Sequence, residues 1–328
     1  MLPVDRMRRW LLRRTGAALV TLGIAVTLLF FIARLTPGDP LAGALDQPGM
    51  TPRARMILRQ RYCLDCPLAG QYVAFVRGAV TGNLGVSIAS QRPVTALIGE
   101  RLPASLLLGG TVLFIDFTIG LLLGVIQASR KGGAADWSLG LLSLTGYATP
   151  SFLLGLGLAA LFGTYGHLLP VAGMRDPTLG VDAGAAAHTL DVARHLLLPV
   201  LTLTLVSIGA TMRFQRSALL DVLPQPFVLA ARARGLPAHR VIWHAWRNAL
   251  FPVVTLFGLW LPIVVAGSVF VEAVFAWPGL GSLAAEAVAR RDYPLLMGIA
   301  LLVATLVVFG GWLADVAYAL LDPRVHHA

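Results

Sequence analysis

Charged residues are scarce in this chain of 328 residues. Asp, Glu, Lys and Arg make up 13% of it, whereas soluble globular domains carry about 25%. Hydrophobic residues account for 57%, and the mean hydropathy is +0.76. This composition excludes an ordinary soluble domain and predicts an integral membrane protein.

Lysine is almost absent, since Lys131 is the only one in the chain. A nucleotide-binding P-loop has the pattern Gly-x-x-x-x-Gly-Lys-Ser/Thr, and Lys131 is followed by Gly132. We therefore expect no nucleotide site of this type, and neither catalytic residues, nor a metal, nor a cofactor in this chain. Any ATP-driven work would have to come from a partner.

Cysteine is nearly absent too, and the only two, Cys63 and Cys66, form a Cys-Leu-Asp-Cys motif. Two cysteines exclude a disulfide framework for a chain of this length. A zinc site would need a second pair of ligands, and no such pair is nearby in the sequence. A local disulfide and two free thiols remain the alternatives.

The net charge of +10 does not indicate a nucleic-acid partner, because aromatic residues are not interleaved with the basic ones. The arginines instead flank six apolar segments, each reaching or approaching the roughly 20 residues that cross a bilayer. The first exceeds the roughly 7–15 residues of a signal-peptide core, so we interpret it as an uncleaved helix. The segments are 17–33, 102–128, 137–165, 195–212, 249–271 and 295–321.

Basic residues also predict the orientation, because they are enriched in short cytoplasmic loops. With six spans and a cytoplasmic N-terminus, most arginines fall on the inner side and both termini are cytoplasmic. The expected location is the inner (plasma) membrane. The expected organisation is 1–34 for the N-terminal segment and first helix, 35–101 for an extracytoplasmic loop, and 102–328 for a five-helix core.

The stretch 221–252 lies between two apolar runs, yet it is rich in arginine. Pro224 and Pro226 end the preceding helix, because proline lacks a backbone donor and restricts the residue before it. Pro226 is also suited to the first position of a new helix, which we predict over 227–234.

Gly235 is placed to close this short helix in the left-handed conformation, with Leu236 folding back on Ala231. Pro237 then begins a second helix that leads into the next apolar run. The pattern predicts a short, basic, cytoplasmic docking element. The alternative is an amphipathic helix resting on anionic lipid.

Several motifs, taken in order, resemble one family of membrane transport subunits. They are RLTPGDP (34–40), GNLGVSIASQRPVTALIGERLPASLLLG (82–109), ATPSFLLGL (148–156), FVLAARARGLPAHRVIWHAWRNALFPVVT (227–255), VFAWPGLGSL (274–283), RRDYPLLMG (290–298) and YALLDPR (318–324). Their order and spacing are similar to the first-type permease of binding-protein-dependent ABC importers in the dipeptide, oligopeptide and nickel group. The resemblance implies an all-α type I importer permease fold with six transmembrane helices and a long extracytoplasmic loop between the first two.

The resemblance also implies a coupling helix at 226–235 that docks on the ATPase. Ala230, Ala231 and Gly235 match the family's Glu-Ala-Ala-x-x-x-Gly signature, while Leu229 stands where the wider superfamily has Glu. The small residues would allow a close fit, and the arginines would meet acidic groups at the rim. The residues expected to couple are Phe227, Leu229, Ala230, Ala231, Arg232, Arg234, Gly235 and Leu236.

The implied partners are a second homologous permease, two cytoplasmic ATPases, an extracytoplasmic substrate-binding protein and membrane lipid. Together the two permeases would form the translocation pathway. Peptides are the favoured cargo, and nickel or a metal chelate is the alternative.

Asp116 lies near the middle of the second span, where a charge costs at least ~2.5–3.5 kcal/mol on an insertion scale. It should therefore face protein or water, and with Ser207 and Thr211 it is a candidate for the pathway. A structural hydrogen bond between helices is the alternative for Asp116. Asp315 and Asp322 are expected to anchor the end of the last span.

Three histidines border the second outer loop: His167, His188 and His195. They could bind a metal cargo, or they could be interfacial and surface residues.

Two other classes remain open. A secondary transporter or channel would work without ATP, but inverted repeats and paired intramembrane charges would be expected. No repeat is evident, and Asp116 is the only charge deep in a predicted span. A membrane scaffold that anchors a cytoplasmic partner is the third possibility.

Overall fold

The structure is a computed structural model, and it describes residues 4–35, 51, 53, 56, 65–180, 182–250, 253, 256–258, 260 and 268–321. These residues are mainly helical. The helices are α1 (Val4–Leu35), α2 (Leu68–Thr81), α3 (Val94–Ile115), α4 (Leu121–Ser129), α5 (Ala134–Ala148), α6 (Ser151–Leu158), α7 (Ala185–Val222), α8 (Pro226–Ala233), α9 (Ala238–Ala249), α10 (Val269–Val274), α11 (Leu280–Ala289) and α12 (Tyr293–Leu321). Two π-helical turns, Asp116–Gly120 and Ala159–Tyr165, follow α3 and α6.

Four helices are long and apolar enough to cross a membrane: α1, the continuous α3–α4 helix, α7 and α12. A fifth span is present if the bent pair α5–α6 crosses as one unit. The predicted segment 249–271 lies mostly outside the described residues, so the sixth span stays a prediction. The all-α membrane architecture is confirmed for the part of the chain that the structure describes.

The apolar segments from which the spans were predicted are shorter than several of the helices that contain them. The second span begins at Val94 rather than at 102, because Pro93 precedes the helix and Arg101 lies within its early turns. The fourth helix, predicted over 195–212, extends over Ala185–Val222 and contains Pro199. In both cases polar residues continue the helix beyond the apolar run from which the prediction was made.

The third predicted span, 137–165, is not one straight helix. It breaks after Ala148, and α5 and α6 meet at a bend of 102°. Thr149 has extended backbone angles and is followed by Pro150, which disfavours a helical conformation in the residue before it. The chain therefore changes direction sharply between α5 and α6 and does not continue as one straight helix.

The predicted outer loop contains a helix of its own. Helix α2 packs against α1, where the hydroxyls of Tyr72 and Thr27 are 2.7 Å apart. The Tyr72 and Phe30 rings make an edge contact at 5.4 Å between centroids. Part of the stretch 35–101 is therefore ordered structure docked on the first span.

Helix α7 is the centre of the bundle, with contacts to α3, α4, α5, α6, α9 and α10. It packs closely against α5, where the Ser143 hydroxyl donates to the Gly209 carbonyl oxygen at 3.0 Å. A Cβ atom on Gly209 would stand 2.8 Å from the Ser143 carbonyl oxygen, so glycine is needed there. Small residues at such contacts let the backbones of membrane helices approach closely.

Candidate functional site

A cavity of about 510 Å³ lies between α3, the α5–α6 bend and α7. This volume is within the range of about 300–1,000 Å³ that is typical of ligand pockets. The walls are mainly apolar and include the aromatic side chains of Trp260 and Phe270. The polar side chains in the lining are those of Ser105, Asp116, Tyr147, Ser151, Ser207 and Ser268.

Asp116 is the one charged residue of this lining, and its side chain is fully buried. It is the first residue of the π-helical turn Asp116–Gly120, which interrupts the hydrogen-bond pattern between α3 and α4. Neither carboxyl oxygen has a hydrogen-bond partner among the described residues. The Ser207 hydroxyl lies in the same lining and donates to the Leu203 carbonyl oxygen at 2.9 Å.

The structure brings Asp116 and Ser207 together, but it places Thr211 elsewhere. Thr211 is fully buried against Gly120, where a Cβ atom on the glycine would be 3.3 Å from its side chain. It is absent from the cavity lining. Thr211 was predicted on the pathway, but its position one turn beyond Ser207 places it in the contact between the π-helical turn and α7.

The second candidate site is the stretch after α7, and its backbone is as predicted. Helix α8 begins at Pro226, and Gly235 beyond its end has a φ of 76°. The Leu236 N–H donates to the Ala231 carbonyl oxygen at 3.3 Å, which is the fold-back expected of a helix closed by glycine. No heavy atom would lie within 4 Å of a Cβ on Gly235, so this glycine is required by backbone conformation alone.

Helix α8 has an inward and an outward face. Val228 and Ala231 are 1% and 4% exposed and pack with residues of α4, α7 and α9. The outward face carries Phe227, Leu229, Ala230, Arg232 and Arg234, all exposed. Ala231 was expected to fit closely against a partner, but the structure turns it into the chain's own core. Its small side chain instead allows α8 to pack closely against α4, α7 and α9.

Helix α8 is held on the bundle by buried apolar contacts, which we call its mounting, and these contacts include α9. Leu219 and Val222 at the end of α7 form one buried cluster with Val228, Val241 and Ala245. Because α8 and α9 share this cluster with α7, a displacement of one of them requires repacking of the others.

An ion pair between Asp136 and Arg216, which we call the Asp136–Arg216 clamp, lies next to these apolar contacts. The Arg216 guanidinium donates to both carboxylate oxygens of Asp136 at 2.8 and 2.9 Å. Asp136 also accepts from the Gly132 N–H at 2.9 Å, and its carbonyl oxygen accepts from the Gln127 amide at 3.1 Å. The α4–α5 turn is thereby tied to the end of α7 that carries α8.

At the opposite end of the bundle, one buried carboxylate that the sequence did not single out joins two distant segments. Asp292 accepts from the Ser87 hydroxyl and from the N–H groups of Ile88 at 3.2 Å and Ala89 at 3.1 Å. It also accepts from the Leu295 N–H at 3.3 Å at the start of α12. Asp292 lies shortly before a predicted span, in the motif RRDYPLLMG, and this position was the available signal. The motif was used only as support for the family resemblance.

Glu272 and Trp277 make two further hydrogen bonds at this end of the bundle, one to the start of α11 and one to α3. Oε2 of Glu272 accepts from the Ser282 N–H at 2.7 Å, in the first turn of α11. The buried Trp277 donates its indole N–H to the Ala104 carbonyl oxygen on α3 at 3.0 Å. Sequence reasoning missed both residues. The partner of Trp277 lies 173 residues away in the chain, whereas that of Glu272 lies only ten residues away.

The other predicted residues do not form a common site. His195 is buried and its Nδ1 lies 2.9 Å from the Asp191 carbonyl oxygen and 3.2 Å from the Asp191 carboxylate, whereas His167 is exposed. His188 is half-buried. Asp315 pairs with Arg14 at 3.2 Å, in accord with an anchoring role, and Asp322 lies outside the described residues.

Cys66 is disulfide-bonded, so of the two alternatives for this motif the disulfide is favoured. Cys63 lies outside the described residues.

Several long apolar helices, a cavity between them and an exposed basic helix are features of a multi-pass membrane transport protein. Residues 120–327 match the family described as binding-protein-dependent transport system inner membrane component. Residues 7–109 match the family of N-terminal parts of such membrane components. The chain therefore belongs to this family, as the motifs suggested, and it is an inner-membrane transport component rather than an enzyme.

Several named relatives match over nearly the whole chain. It is 36% identical over 334 residues to the di/tripeptide transport system permease protein DppB of Pseudomonas aeruginosa (strain UCBPP-PA14), covering 98% of this chain and 99% of that protein. It is 35% identical over 338 residues to the dipeptide transport system permease protein DppB of Escherichia coli (strain K12), with the same coverage. It is 36% identical over 324 residues to the oligopeptide transport system permease protein AppB of Bacillus subtilis (strain 168), covering 98% and 100%.

Proposed function

We propose that this chain is a permease subunit of an ATP-driven, binding-protein-dependent peptide importer and forms half of its translocation pathway. The relatives above, named for dipeptide and oligopeptide transport, match it over nearly its whole length. This favours peptides over nickel or a metal chelate as the cargo. The other half would be a second, homologous permease.

The observation that carries the proposed mechanism is the outward face of α8. It presents Phe227 and Leu229 beside Arg232 and Arg234 on a helix whose inner face is packed on α7. An apolar centre flanked by guanidinium groups suits a groove with an acidic rim on a cytoplasmic ATPase. ATP and Mg²⁺ would bind to two such ATPases and not to this chain.

Because α8 is packed against the bundle, a movement of its docking face would be passed on to the spans. When ATP closes the ATPase dimer, α8 would move with the subunit beneath it. Because α8 shares a buried cluster with α7 and α9, the spans would rock from an inward-facing to an outward-facing state. An extracytoplasmic binding protein would then deliver its peptide to the cavity. Both termini would be cytoplasmic in this arrangement.

The proposal can be tested by isolating the complex from membranes of the native host through a tag on this chain. We expect a second permease and ATPases to co-purify. With the binding protein, the reconstituted complex should take up peptide only when ATP is hydrolysed. The tagged chain purified alone should show no ATPase activity.

Two results would contradict the proposal. Uptake driven by an ion gradient in the absence of ATP would identify a secondary transporter. Uptake of nickel, or of a nickel chelate, without peptide uptake would keep the importer but replace the cargo.

A further inference from the structure

Asp116 differs from three serines of the cavity lining, because neither of its carboxyl oxygens makes a hydrogen bond within the described residues. The Ser105 hydroxyl accepts from the Leu280 N–H at 2.7 Å, and the Ser268 hydroxyl accepts from the Val271 N–H at 3.4 Å. The Ser207 hydroxyl donates to Leu203. Both Asp116 carboxyl oxygens are buried without a partner among the described residues.

An unpaired buried carboxylate is costly, because a charge removed from water needs a counter-charge or several hydrogen-bond donors. The lining contains no Lys, Arg or His that could supply the counter-charge. Arg213, a neighbouring basic residue on α7, instead stacks on the Tyr147 ring with 5.0 Å to the centroid. The missing partner must therefore come from outside the described lining.

A cationic organic group fits this site better than a metal ion does. In the described part of the chain, no three His, Cys, Asp or Glu side chains gather closely enough to hold a metal. Ca²⁺ and Mg²⁺ need about six ligands, most of them oxygens, and one carboxylate in an apolar wall does not supply them. An ammonium group needs one carboxylate, and the lining also contains Trp260 and Phe270, whose aromatic side chains are of a type that attracts cations.

We propose that the cavity binds a cationic group of the cargo at Asp116, namely the free amino terminus of a peptide. This inference rests on the proposed function, which supplies a cargo that carries an α-ammonium group. The apolar walls would accept side chains of varied shape, while the carboxylate recognises the one feature that all unblocked peptides share. Selectivity for a particular sequence would remain with the binding protein.

The backbone around Asp116 supports a role in binding. The carboxylate stands at the start of a π-helical turn, and such turns are frequent at functional sites. The same turn contacts α7 through Gly120, whose Cβ would lie 3.2 Å from Ile208 and 3.3 Å from Thr211. A movement of α7 would therefore shift the position of Asp116 relative to Ser207 on the other wall. This would allow the affinity for the ammonium group to differ between the two states of the transporter.

The first test compares two peptides in the reconstituted complex at saturating, loaded binding protein, so that selection by the binding protein does not limit the rate. One peptide has a free amino terminus and the other is its N-acetylated form. Asp116→Asn should lower the maximal uptake rate of the free peptide about tenfold, the size expected for a lost charge-assisted hydrogen bond. Asp116→Glu should retain most of the rate, and Asp182→Asn, at an exposed position, should retain all of it.

The second test does not depend on transport. A carbodiimide activates a carboxylate, and an amine in direct contact displaces the activated group to form an amide while the carbodiimide leaves as a urea. With the free peptide bound to the complex, mass spectrometry should find the peptide joined to Asp116. The N-acetylated peptide should give no such product.

The outcomes separate the two proposals. If the parental complex transports no peptide, the proposed function fails. If it transports peptide but Asp116→Asn leaves free-peptide uptake unchanged, or the amide never forms, only the inference fails. The inference is also overturned if Asp116→Asn prevents assembly of the complex, or if it slows the free and acetylated peptides equally.

Discussion

The two ends of the bundle use their charged side chains in opposite ways. At one end, which we call the Trp277 end, Asp292 is buried and all its donors come from this chain. At the other end, which we call the α8 end, Arg232 and Arg234 are exposed on a helix whose apolar face is already packed. The first arrangement locks distant segments of one chain together. The second leaves charge and apolar surface available to another subunit.

This comparison predicts where substitutions should act. Changes at the Trp277 end should lower the stability of the subunit, while its remaining folded fraction stays able to transport. Changes on the outward face of α8 should spare stability and affect attachment or coupling. The following predictions test that division, beginning with the largest expected effect.

Asp292→Ala should destabilise the subunit most. It removes the acceptor from one hydroxyl and from three backbone N–H groups, and each buried donor left unpaired costs about 1–3 kcal/mol. We expect a clear fall in the Tm of the purified complex. Asp292→Asn keeps one carbonyl oxygen and should lose less, and Asp182→Ala is the exposed control. An unchanged Tm for Asp292→Ala would show that this end is not locked by its carboxylate.

Gly235→Val should stop transport without preventing membrane insertion. A φ of 76° strains a β-branched residue by about 1–3 kcal/mol, although the space around Gly235 is open. The strain should move Leu236 away from Ala231 and disturb the seat of α8. Reconstituted vesicles should show lost uptake with altered or uncoupled ATP hydrolysis.

The matched variant is Gly235→Asn, because asparagine tolerates the left-handed conformation far better than valine does. It should restore most of the uptake. Equal, parental rates for valine and asparagine would mean that the backbone at this position has no part in coupling.

The backbone of α8 was predictable from sequence because its signals are local. Pro226 begins the helix and Gly235 closes it, and both effects are set within a few residues. Which face of α8 is buried was not predictable, since it depends on Leu219, Val241 and Ala245 in other helices. The same reason explains why Ala231 was assigned to a partner surface.

The candidate cavity was predictable in part. A carboxylate in the middle of an apolar run, as at Asp116, is visible in the sequence because its cost in a membrane is high. Its missing partners and its position opposite Ser207 depend on how α3 and α7 meet. The anchoring residue Asp292 was hidden for a similar reason, because its donors at 87–89 lie about two hundred residues away in the chain.

A pair of substitutions on neighbouring residues of α8 tests the division into faces. Ala230→Glu adds a negative charge to the exposed face, so it should weaken ATPase co-purification while the Tm of the isolated subunit is unchanged. Ala231→Glu would bury that charge against Val228 and α9, so it should lower the Tm of the isolated subunit as well. If both variants behave alike in the two measurements, α8 does not have distinct inner and outer faces.

The smallest effect is expected from the Asp136–Arg216 clamp, because it ties the α8 end together without forming its docking face. Arg216→Gln removes the bidentate ion pair but leaves the apolar mounting of α8 intact. We expect the complex to assemble with full ATPase attachment and to transport a few-fold more slowly per ATP hydrolysed, since the α4–α5 turn no longer follows α7 closely. The control is Asp182→Asn, a change at an exposed position that leaves the clamp in place.

The exchange of the two charges, Asp136→Arg with Arg216→Asp, separates attraction from geometry. An ion pair can form again, but the hydrogen bonds from Gly132 and Gln127 were made to the residue at 136, and an arginine side chain cannot accept the one from Gly132. Partial recovery of the uptake-to-hydrolysis ratio relative to Arg216→Gln would indicate that the ion pair itself links the two segments. No recovery would assign the link to the hydrogen-bonded turn. A parental ratio in Arg216→Gln would contradict both accounts and assign the mechanical connection at this end to the buried cluster of α7, α8 and α9.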